Sequence, residues 1–205
     1  MTYELITALS IFAFVSLITP GPNNLMLMAS GMNYGVVRTI PHMLGIGIGF
    51  PVMVLLVGAG LMGVFEAVPH SYTVLQTVSA VYLLYLAWKI ATAAPVSSGE
   101  ETAASRPLTF LQAAMFQWVN PKAWAMALTA ISIYTPPSKP VWSVLLIALM
   151  FALMGGPTIS LWAFVGQQLR RFLGNPLRLR IFNISCALLL AGSLYPMLMR
   201  GSSGF

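Results

Sequence analysis

The sequence predicts an all-α polytopic membrane protein with six transmembrane helices. Hydrophobic residues make up 58% of the 205 residues, and only 7% of the residues are charged. The mean hydropathy is +0.84. A soluble domain carries roughly 25% charged residues, so lipid must cover most of this surface. The apolar runs are also too long and continuous for the alternating strands of about ten residues that build membrane barrels.

The first apolar run extends from Glu4 to Arg38 without a charge. As one helix it would be about 50 Å long, against a hydrocarbon core of about 30 Å. We therefore expect this segment to form a membrane helix that is interrupted at residues 19–24 and then continues as a second helix. Since a spanning helix needs about 20 apolar residues, the five further spans are expected at about 40–62, 72–90, 108–133, 141–165 and 181–199.

The basic residues predict the orientation in the membrane. The loops after spans one, three and five hold seven Lys and Arg residues, namely Arg38, Lys89, Arg106, Arg170, Arg171, Arg178 and Arg180. The opposite side holds two, Lys139 and Arg200. An excess of Lys and Arg marks cytoplasmic loops, so both termini are expected on the periplasmic side of a bacterial inner membrane.

A weak internal repeat divides the single membrane domain 1–205 into halves at 1–93 and 108–205, joined by a polar linker at 94–107. Spans one and four each contain a proline beside polar residues, and spans two and five each contain a Gly-x-Pro, Gly49-Phe50-Pro51 and Gly155-Gly156-Pro157. With three spans per half, the halves must face opposite ways across the bilayer. Inverted repeats with interrupted helices in matching positions are a pattern of secondary transporters. The alternative is that proline and glycine are simply common in membrane helices.

The break in span one is Thr19-Pro20-Gly21-Pro22-Asn23-Asn24. Proline removes a backbone donor and clashes with the preceding turn, and irregular backbone at membrane depth survives only inside protein or beside a wet cavity. We expect Asn23 and Asn24 to begin a renewed helix, whose positive end can accept a carboxylate. The alternative is that the Asn pair only caps a kink.

Lys122 is the strongest single candidate for a functional residue. It ends the string Gln117-Trp118-Val119-Asn120-Pro121-Lys122 of span four. A lysine at the centre of a spanning helix costs roughly 2.5–3.5 kcal/mol, so it is a functional hypothesis by default. It can hold a substrate carboxylate or release its proton in a dry site. Gln117 and Asn120 are expected to orient the same ligand. The alternative is that Lys122 snorkels to an interface or pairs with backbone carbonyls.

Other residues are assigned structural roles. Gly45 and Gly49 form a small-xxx-small pair for close helix contact, and Gly31 and Gly35 are interpreted in the same way. His42 and His70 follow prolines and are expected in loops or at the interface. No metal cluster, cofactor motif or enzyme signature emerges from the sequence.

The strings at 19–24, at Tyr85-Leu86-Ala87-Trp88-Lys89 and at 117–124 resemble the LysE family of translocators, closest to its RhtB branch of homoserine, threonine and cysteine exporters. The resemblance covers nearly the whole chain. It implies export of amino acids or their derivatives, driven by the proton-motive force or by exchange. Residues that match the family motifs are Pro20, Gly21, Pro22, Asn23, Asn24, Asn120, Pro121 and Lys122. Substrates differ across the family, so the motifs do not choose among them.

Three classes of function are therefore weighed: a secondary exporter, a channel or assembly factor without coupled transport, and an intramembrane enzyme, which the lack of reactive residues disfavours. The expected partners are a small-molecule substrate and the lipid bilayer, with no nucleic acid and no cofactor. Whether copies of the chain form a homo-oligomer stays open.

Overall fold

The computed structural model of the protein describes residues 2–61, 71–93, 106–136, 140–172 and 175–195. Every regular element in these ranges is a helix, as the sequence predicts. In chain order the elements are α1 (Tyr3–Ile18), α2 (Pro22–Tyr34), α3 (Val36–Leu56), α4 (Ser71–Ala91), α5 (Phe110–Phe116), α6 (Pro121–Tyr134), α7 (Pro140–Phe172) and α8 (Pro176–Gly192). A π-helical turn at Val57–Leu61 extends α3, and a 3₁₀ turn at Gln117–Val119 lies between α5 and α6.

Some of the predicted features lie outside the described residues. They are most of the polar linker, the end of the sixth span, and the residues Glu66, His70, Glu100, Glu101, Lys139 and Arg200.

Several described helices have the length and composition to cross a membrane. Val36–Gly60, Thr73–Ala91 and Pro140–Arg170 do so individually, and α1 and α2 together form a fourth candidate, bent by 51° at the break. The chain is thus a helical, multi-pass membrane protein. The break in the first predicted span is present where the prolines predict it.

Helix α7 is longer than predicted. Its 33 residues extend about 50 Å, which exceeds a hydrocarbon core of about 30 Å. The prediction that four arginines lie in the loop after span five is therefore wrong: Arg170 and Arg171 lie in the last turn of α7, and Arg178 and Arg180 lie in the first turns of α8.

Two groups of buried side chains form the main core. One joins α1, α3, α6 and α7 around Phe50, Met126 and Phe151. The other joins α2, α4, α5 and α8 around Leu83, Phe116 and Leu190. Both broken segments therefore divide between the two cores, because α1 and α6 belong to the first and α2 and α5 to the second.

Glycines allow the closest helix contacts. A Cβ on Gly45 would collide with the Phe110 carbonyl oxygen, and one on Gly49 would lie 2.7 Å from the Ala114 Cα, so the predicted pair packs α3 against α5. A Cβ on Gly31 would collide with the Ala163 carbonyl oxygen, where α2 packs against α7. These contacts bring backbones together as small-xxx-small pairs do in membranes.

Two structural predictions are wrong. Gly35 is not a packing residue: its φ of 81° lies in the left-handed region, which glycine adopts without strain, and it joins α2 to α3. His42 is not in a loop or at an interface. It lies inside α3, because Pro41 falls within the helix rather than ending it, and only 1% of its surface is exposed.

Polar side chains join the ends of four helices. The Val36 backbone N–H donates to Gln167 Oε1 of α7 at 2.6 Å. Asn33 of α2 exchanges hydrogen bonds with Asn183 of α8 at 3.0 and 3.2 Å, and Asn183 also donates to the Ala93 carbonyl just after α4. These hydrogen bonds hold the end of α2 and the start of α3 close to the ends of α4 and α7.

Candidate functional site

The break between α1 and α2 exposes backbone carbonyls inside the bundle. Thr19 ends α1 in an extended conformation, and Pro22 supplies no N–H at the first position of α2. Without the next helical turn, the carbonyls at the end of α1 need other donors.

Asn24 supplies donors to these carbonyls. Its amide nitrogen lies 2.8 Å from the Leu17 carbonyl oxygen and 2.8 Å from that of Thr19. The residue is buried, with 7% of its surface exposed. The prediction that the Asn pair begins the renewed helix is confirmed in position, but Gly21 rather than an asparagine occupies the N-cap, without a side-chain cap. Asn24 instead binds the two sides of the break together.

The second break lies between α5 and α6. The 3₁₀ turn Gln117–Val119 ends at Asn120, whose side chain accepts a hydrogen bond from the Lys122 backbone N–H at 3.1 Å. Pro121 occupies the first position of α6, where the missing N–H is not needed. Asn120 is therefore an N-cap, and its 2% exposure shows that this helix start is buried in protein.

Lys122 reaches from the second break to the first. Its ammonium nitrogen donates to the Thr19 carbonyl oxygen at 2.6 Å. A Cβ on Gly21 would lie 2.6 Å from Lys122 Cδ and 3.1 Å from Nζ, so glycine leaves the space that the lysine stem occupies. The observed contact is with a backbone carbonyl, and Glu4, the one acidic residue among those described, lies in the first turn of α1.

A second pair also joins the two breaks. Asn23 donates from its amide nitrogen to Gln117 Oε1 at 2.8 Å, and Gln117 donates back to Asn23 Oδ1 at 3.2 Å. Gln117 is fully buried and also donates to the Ala113 carbonyl at 2.9 Å. The two amides therefore satisfy each other where both helices are interrupted, as buried polar groups require.

These groups border a central cavity of about 40 Å³. It is lined by Gly21, Asn23, Asn24, Asn120 and Lys122. A cavity of this size holds a few water molecules at most. Its described lining contains one cation and several amides, which suit a carboxylate.

The site residues predicted from the sequence fall into two sets. Five of them line the cavity, and Gln117 reaches it through its bond to Asn23. Pro20, Pro22 and Pro121 set the backbone of the breaks and are not among the lining residues. The structure therefore separates ligand-facing candidates from the prolines that position them.

Sequence reasoning assigned no site role to the walls of the cavity. Phe50, Pro51, Phe151 and Gly155 line it from α3 and α7, and the two phenylalanine rings meet edge to face with centroids 5.0 Å apart. Pro51 and Gly155 belong to the two Gly-x-Pro strings that suggested the repeat. That match was the signal that could have added these residues to the site.

Among the described residues, no three His, Cys, Asp or Glu side chains are arranged to hold a metal ion. The site is built instead from amides, one ammonium and interrupted helices within a membrane bundle. Interrupted helices that place polar groups inside a membrane bundle are a pattern of secondary transporters.

The chain belongs to the family of LysE type translocators, whose family model matches residues 14–193. Membership makes the protein a translocator rather than an enzyme, and it confirms the family suggested by the sequence motifs.

Curated relatives extend the similarity over most of the chain. A cysteine/O-acetylserine efflux protein of Klebsiella pneumoniae is 30% identical over 83% of this chain and 86% of its own length. The efflux protein of the same name from Escherichia coli O1:K1 is 30% identical over 93% of this chain and 95% of its own. That of Salmonella typhimurium is 31% identical over 83% and 87%. No solved structure matches the chain.

Proposed function

We propose that this protein exports small amino acids or their derivatives across the bacterial inner membrane as a secondary transporter. Its membership of the translocator family supports transport, and the names of the relatives point to cysteine and O-acetylserine as the first substrates to test. Both molecules carry an α-carboxylate and an α-ammonium and are small enough for a compact polar site.

The observation that carries this proposal is the bond from Lys122 Nζ to the Thr19 carbonyl oxygen at 2.6 Å. A neutral carbonyl is a weaker partner for an ammonium than a carboxylate, because ionised acceptors form shorter and stronger hydrogen bonds. An arriving carboxylate replaces Thr19 at the ammonium. Lys122 thereby binds the Thr19 carbonyl at the first break when substrate is absent and binds the substrate carboxylate when it arrives.

Backbone amides complete the proposed carboxylate site. Helix α2 starts beside Lys122, and its N-cap Gly21 makes no side-chain cap. Its amides at Asn23 and Asn24 carry the partial positive charge of a helix start, which stabilises anions. The start of α6 is different, because Asn120 already caps it.

Transport requires the cavity to enlarge. At about 40 Å³ it is far below the roughly 300–1,000 Å³ of small-molecule sites. We propose that α1 and α6, with the Phe50 and Phe151 rings, move apart to admit substrate from one side at a time. This is alternating access about a fixed midplane site.

We further propose six spans arranged as two inverted repeats, 1–93 and 108–205, with 94–107 as the linker. The packing supports this division. Helix α3 contacts α7 and α4 contacts α8, and the contact of α1 with α7 has its counterpart in the contact of α5 with α3. The α3–α7 and α4–α8 contacts join elements that the repeat makes equivalent, and the α1–α7 and α5–α3 contacts are equivalent to each other. The dense contact of α2 with α7 has no equally dense counterpart between α6 and α3, as expected when one side is closed.

The basic residues support a cytoplasmic location for the ends of α2, α4 and α7, and hence periplasmic termini. The driving force is proposed to be the proton-motive force or exchange. Glu4 is too close to the start of α1 to serve the central cavity, so coupling through Lys122 or through the substrate's own ionisation is favoured.

The test is transport by the purified chain in proteoliposomes loaded with unlabelled cysteine or O-acetylserine. A carrier should give saturable uptake of the labelled compound and accelerated counterflow. Flux that neither saturates nor shows counterflow would make the chain a channel, and no flux with any amino acid would refute export. Metabolite profiles of the medium from overexpressing and deletion strains extend the test to other substrates.

A further inference from the structure

A second cavity lies away from the two helix breaks. Its volume is about 440 Å³, within the roughly 300–1,000 Å³ of small-molecule sites. It is bordered by the second half of α2, the start of α3, the end of α4 and the segment before α5. Among the residues that the structure describes, the central cavity and this one share no lining residue.

His42 is the most unusual group in its wall. The side chain is 1% exposed, and neither ring nitrogen has a hydrogen-bond partner among the described residues. A buried imidazole without partners loses its interactions with water and gains none in return, which is costly. Each such group in a folded protein calls for a missing partner.

Other polar residues of the wall already have partners. Ser30 Oγ lies 2.9 Å from Thr39 Oγ1, and Asn33 bonds to Asn183 and to the Ala29 carbonyl. These bonds hold the wall in place. They leave His42 as the buried group that is available to a ligand.

Two cations border the same cavity. Lys89 lies at the end of α4, with its ammonium 5.9 Å from the Tyr85 ring centroid, and Arg106 precedes α5. Glu4, the one acidic side chain among the described residues, lies in the first turn of α1 and does not line the cavity. An anion in this cavity would therefore meet two positively charged side chains and an imidazole that has no hydrogen-bond partner among the described residues.

We propose that this cavity is a loading site for the exported amino acid, with Lys89 and Arg106 binding its carboxylate and His42 hydrogen-bonding its ammonium or side-chain polar group. The proposal rests on the proposed function in one respect: an exporter collects substrate at its cytoplasmic end, where the basic residues are placed. Substrate then passes from this site to the central one at Lys122.

Substrate protection of an introduced cysteine tests the proposal directly. Cys186 is the only cysteine, so a Cys186→Ala parent is free of thiols. Thr92→Cys adds a thiol at an exposed position in the cavity lining, and Leu177→Cys adds one at an exposed control position outside both cavities. The impermeant anion 2-sulfonatoethyl methanethiosulfonate labels each introduced cysteine in inside-out and in right-side-out vesicles. Labelling is compared with and without a ligand, which is O-acetylserine or another amino acid that has no thiol.

We expect O-acetylserine or another amino acid to slow labelling at position 92 in inside-out vesicles and not at position 177. Protection should weaken in Arg106→Gln and in His42→Gln, and should persist in Lys122→Met, whose change lies at the other site. No protection by any ligand, or protection only in right-side-out vesicles, would overturn the loading site. Protection without export in proteoliposomes would refute the proposed function alone, and export without protection would refute the loading site alone.

Transport kinetics give a second readout. Arg106→Gln should raise the KM for export about tenfold, the effect of losing one charge-assisted hydrogen bond, with the maximal rate unchanged. Arg180→Gln is the matched control, since this exposed arginine in α8 lines neither cavity. An unchanged KM in Arg106→Gln would contradict the assignment, and because the residue is exposed its replacement leaves the core intact.

Discussion

The surroundings of Lys122 explain how a lysine is accommodated inside the membrane bundle. Its ammonium binds the Thr19 carbonyl, and its stem passes over Gly21, where any side chain would collide with it. The same lysine on an uninterrupted helix would have no freed carbonyl to bind. The broken backbone therefore makes the charge tolerable while leaving it able to exchange partners.

Replacing Lys122 with methionine should abolish export while the protein still inserts. Leaving a substrate carboxylate without its cation costs on the order of 2–5 kcal/mol, whereas removing an expensive charge from a membrane segment does not impair insertion. Lys122→Arg should restore activity only in part, because the guanidinium is larger and does not readily release a proton.

The measurement is tolerance to excess substrate, with a membrane-fraction immunoblot to check insertion and Arg180→Met as the control. Full tolerance conferred by Lys122→Met would place the substrate site elsewhere.

Gly21→Ala should reduce export through the same lysine. The new Cβ would lie 2.6 Å from Lys122 Cδ, and because that side chain is flexible it should swing away from Thr19 rather than unfold the protein. We expect normal membrane levels with a severalfold lower export rate. Gly156→Ala is the control, since a Cβ there meets nothing within 4 Å. Equal export rates for the two alanine variants would show that the close approach at Gly21 has no functional role.

The helix elements are joined at their interruptions. Asn23 and Gln117 lie 94 positions apart in the sequence and exchange two hydrogen bonds. Because one belongs to α2 and the other to the turn between α5 and α6, this pair holds the two breaks at the same level of the bundle.

A double-mutant cycle should measure this connection. Asn23→Leu or Gln117→Leu alone leaves a polar partner unsatisfied and should lower the free energy of unfolding by about 1–3 kcal/mol, whereas the double replacement should cost less than the sum of the two. Unfolding of the purified protein in detergent gives the values. Ser185→Ala, which removes an exposed hydroxyl bonded to its own helix, should have an effect below about 0.5 kcal/mol. Strict additivity would mean that the amides are not coupled.

At the scale of the whole molecule, the ends of α2, α4 and α7 meet through Asn33, Gln167 and Asn183. Arg38, Lys89 and Arg170 lie near these ends along the chain. These three basic residues therefore lie toward the same end of the bundle, as a charge bias across the membrane requires.

A reporter fused after Arg171 should be active only as a cytoplasmic reporter, because Lys and Arg are retained on the cytoplasmic side. A fusion within residues 137–139, between α6 and α7, should behave in the opposite way. Alkaline phosphatase and green fluorescent protein fusions report the two compartments. Phosphatase activity after Arg171 would reverse the proposed orientation and, with it, the side from which substrate is loaded.

The sequence alone determined the features that depend on composition and local chemistry. Apolar length predicted membrane helices, the prolines at Pro20, Pro22 and Pro121 predicted the breaks, and Gly45 with Gly49 predicted close helix contact. Each follows from short-range physics: a missing N–H, a missing Cβ, or the lack of charge needed to face water. The family motifs occur at the same positions, which is why the class of protein was also predictable.

Only the tertiary structure decided which groups meet. No local pattern says that Gln117 pairs with Asn23, that Lys122 binds Thr19, or that Phe151 lines the central cavity, because these contacts join distant segments. The expectation for His42 is wrong for the same reason: its position after Pro41 suggests a loop or the interface, but Pro41 lies inside α3 and the packing around this helix buries the imidazole ring beside a cavity. Proline has local effects that a sequence reveals, whereas burial depends on what packs from elsewhere in the chain.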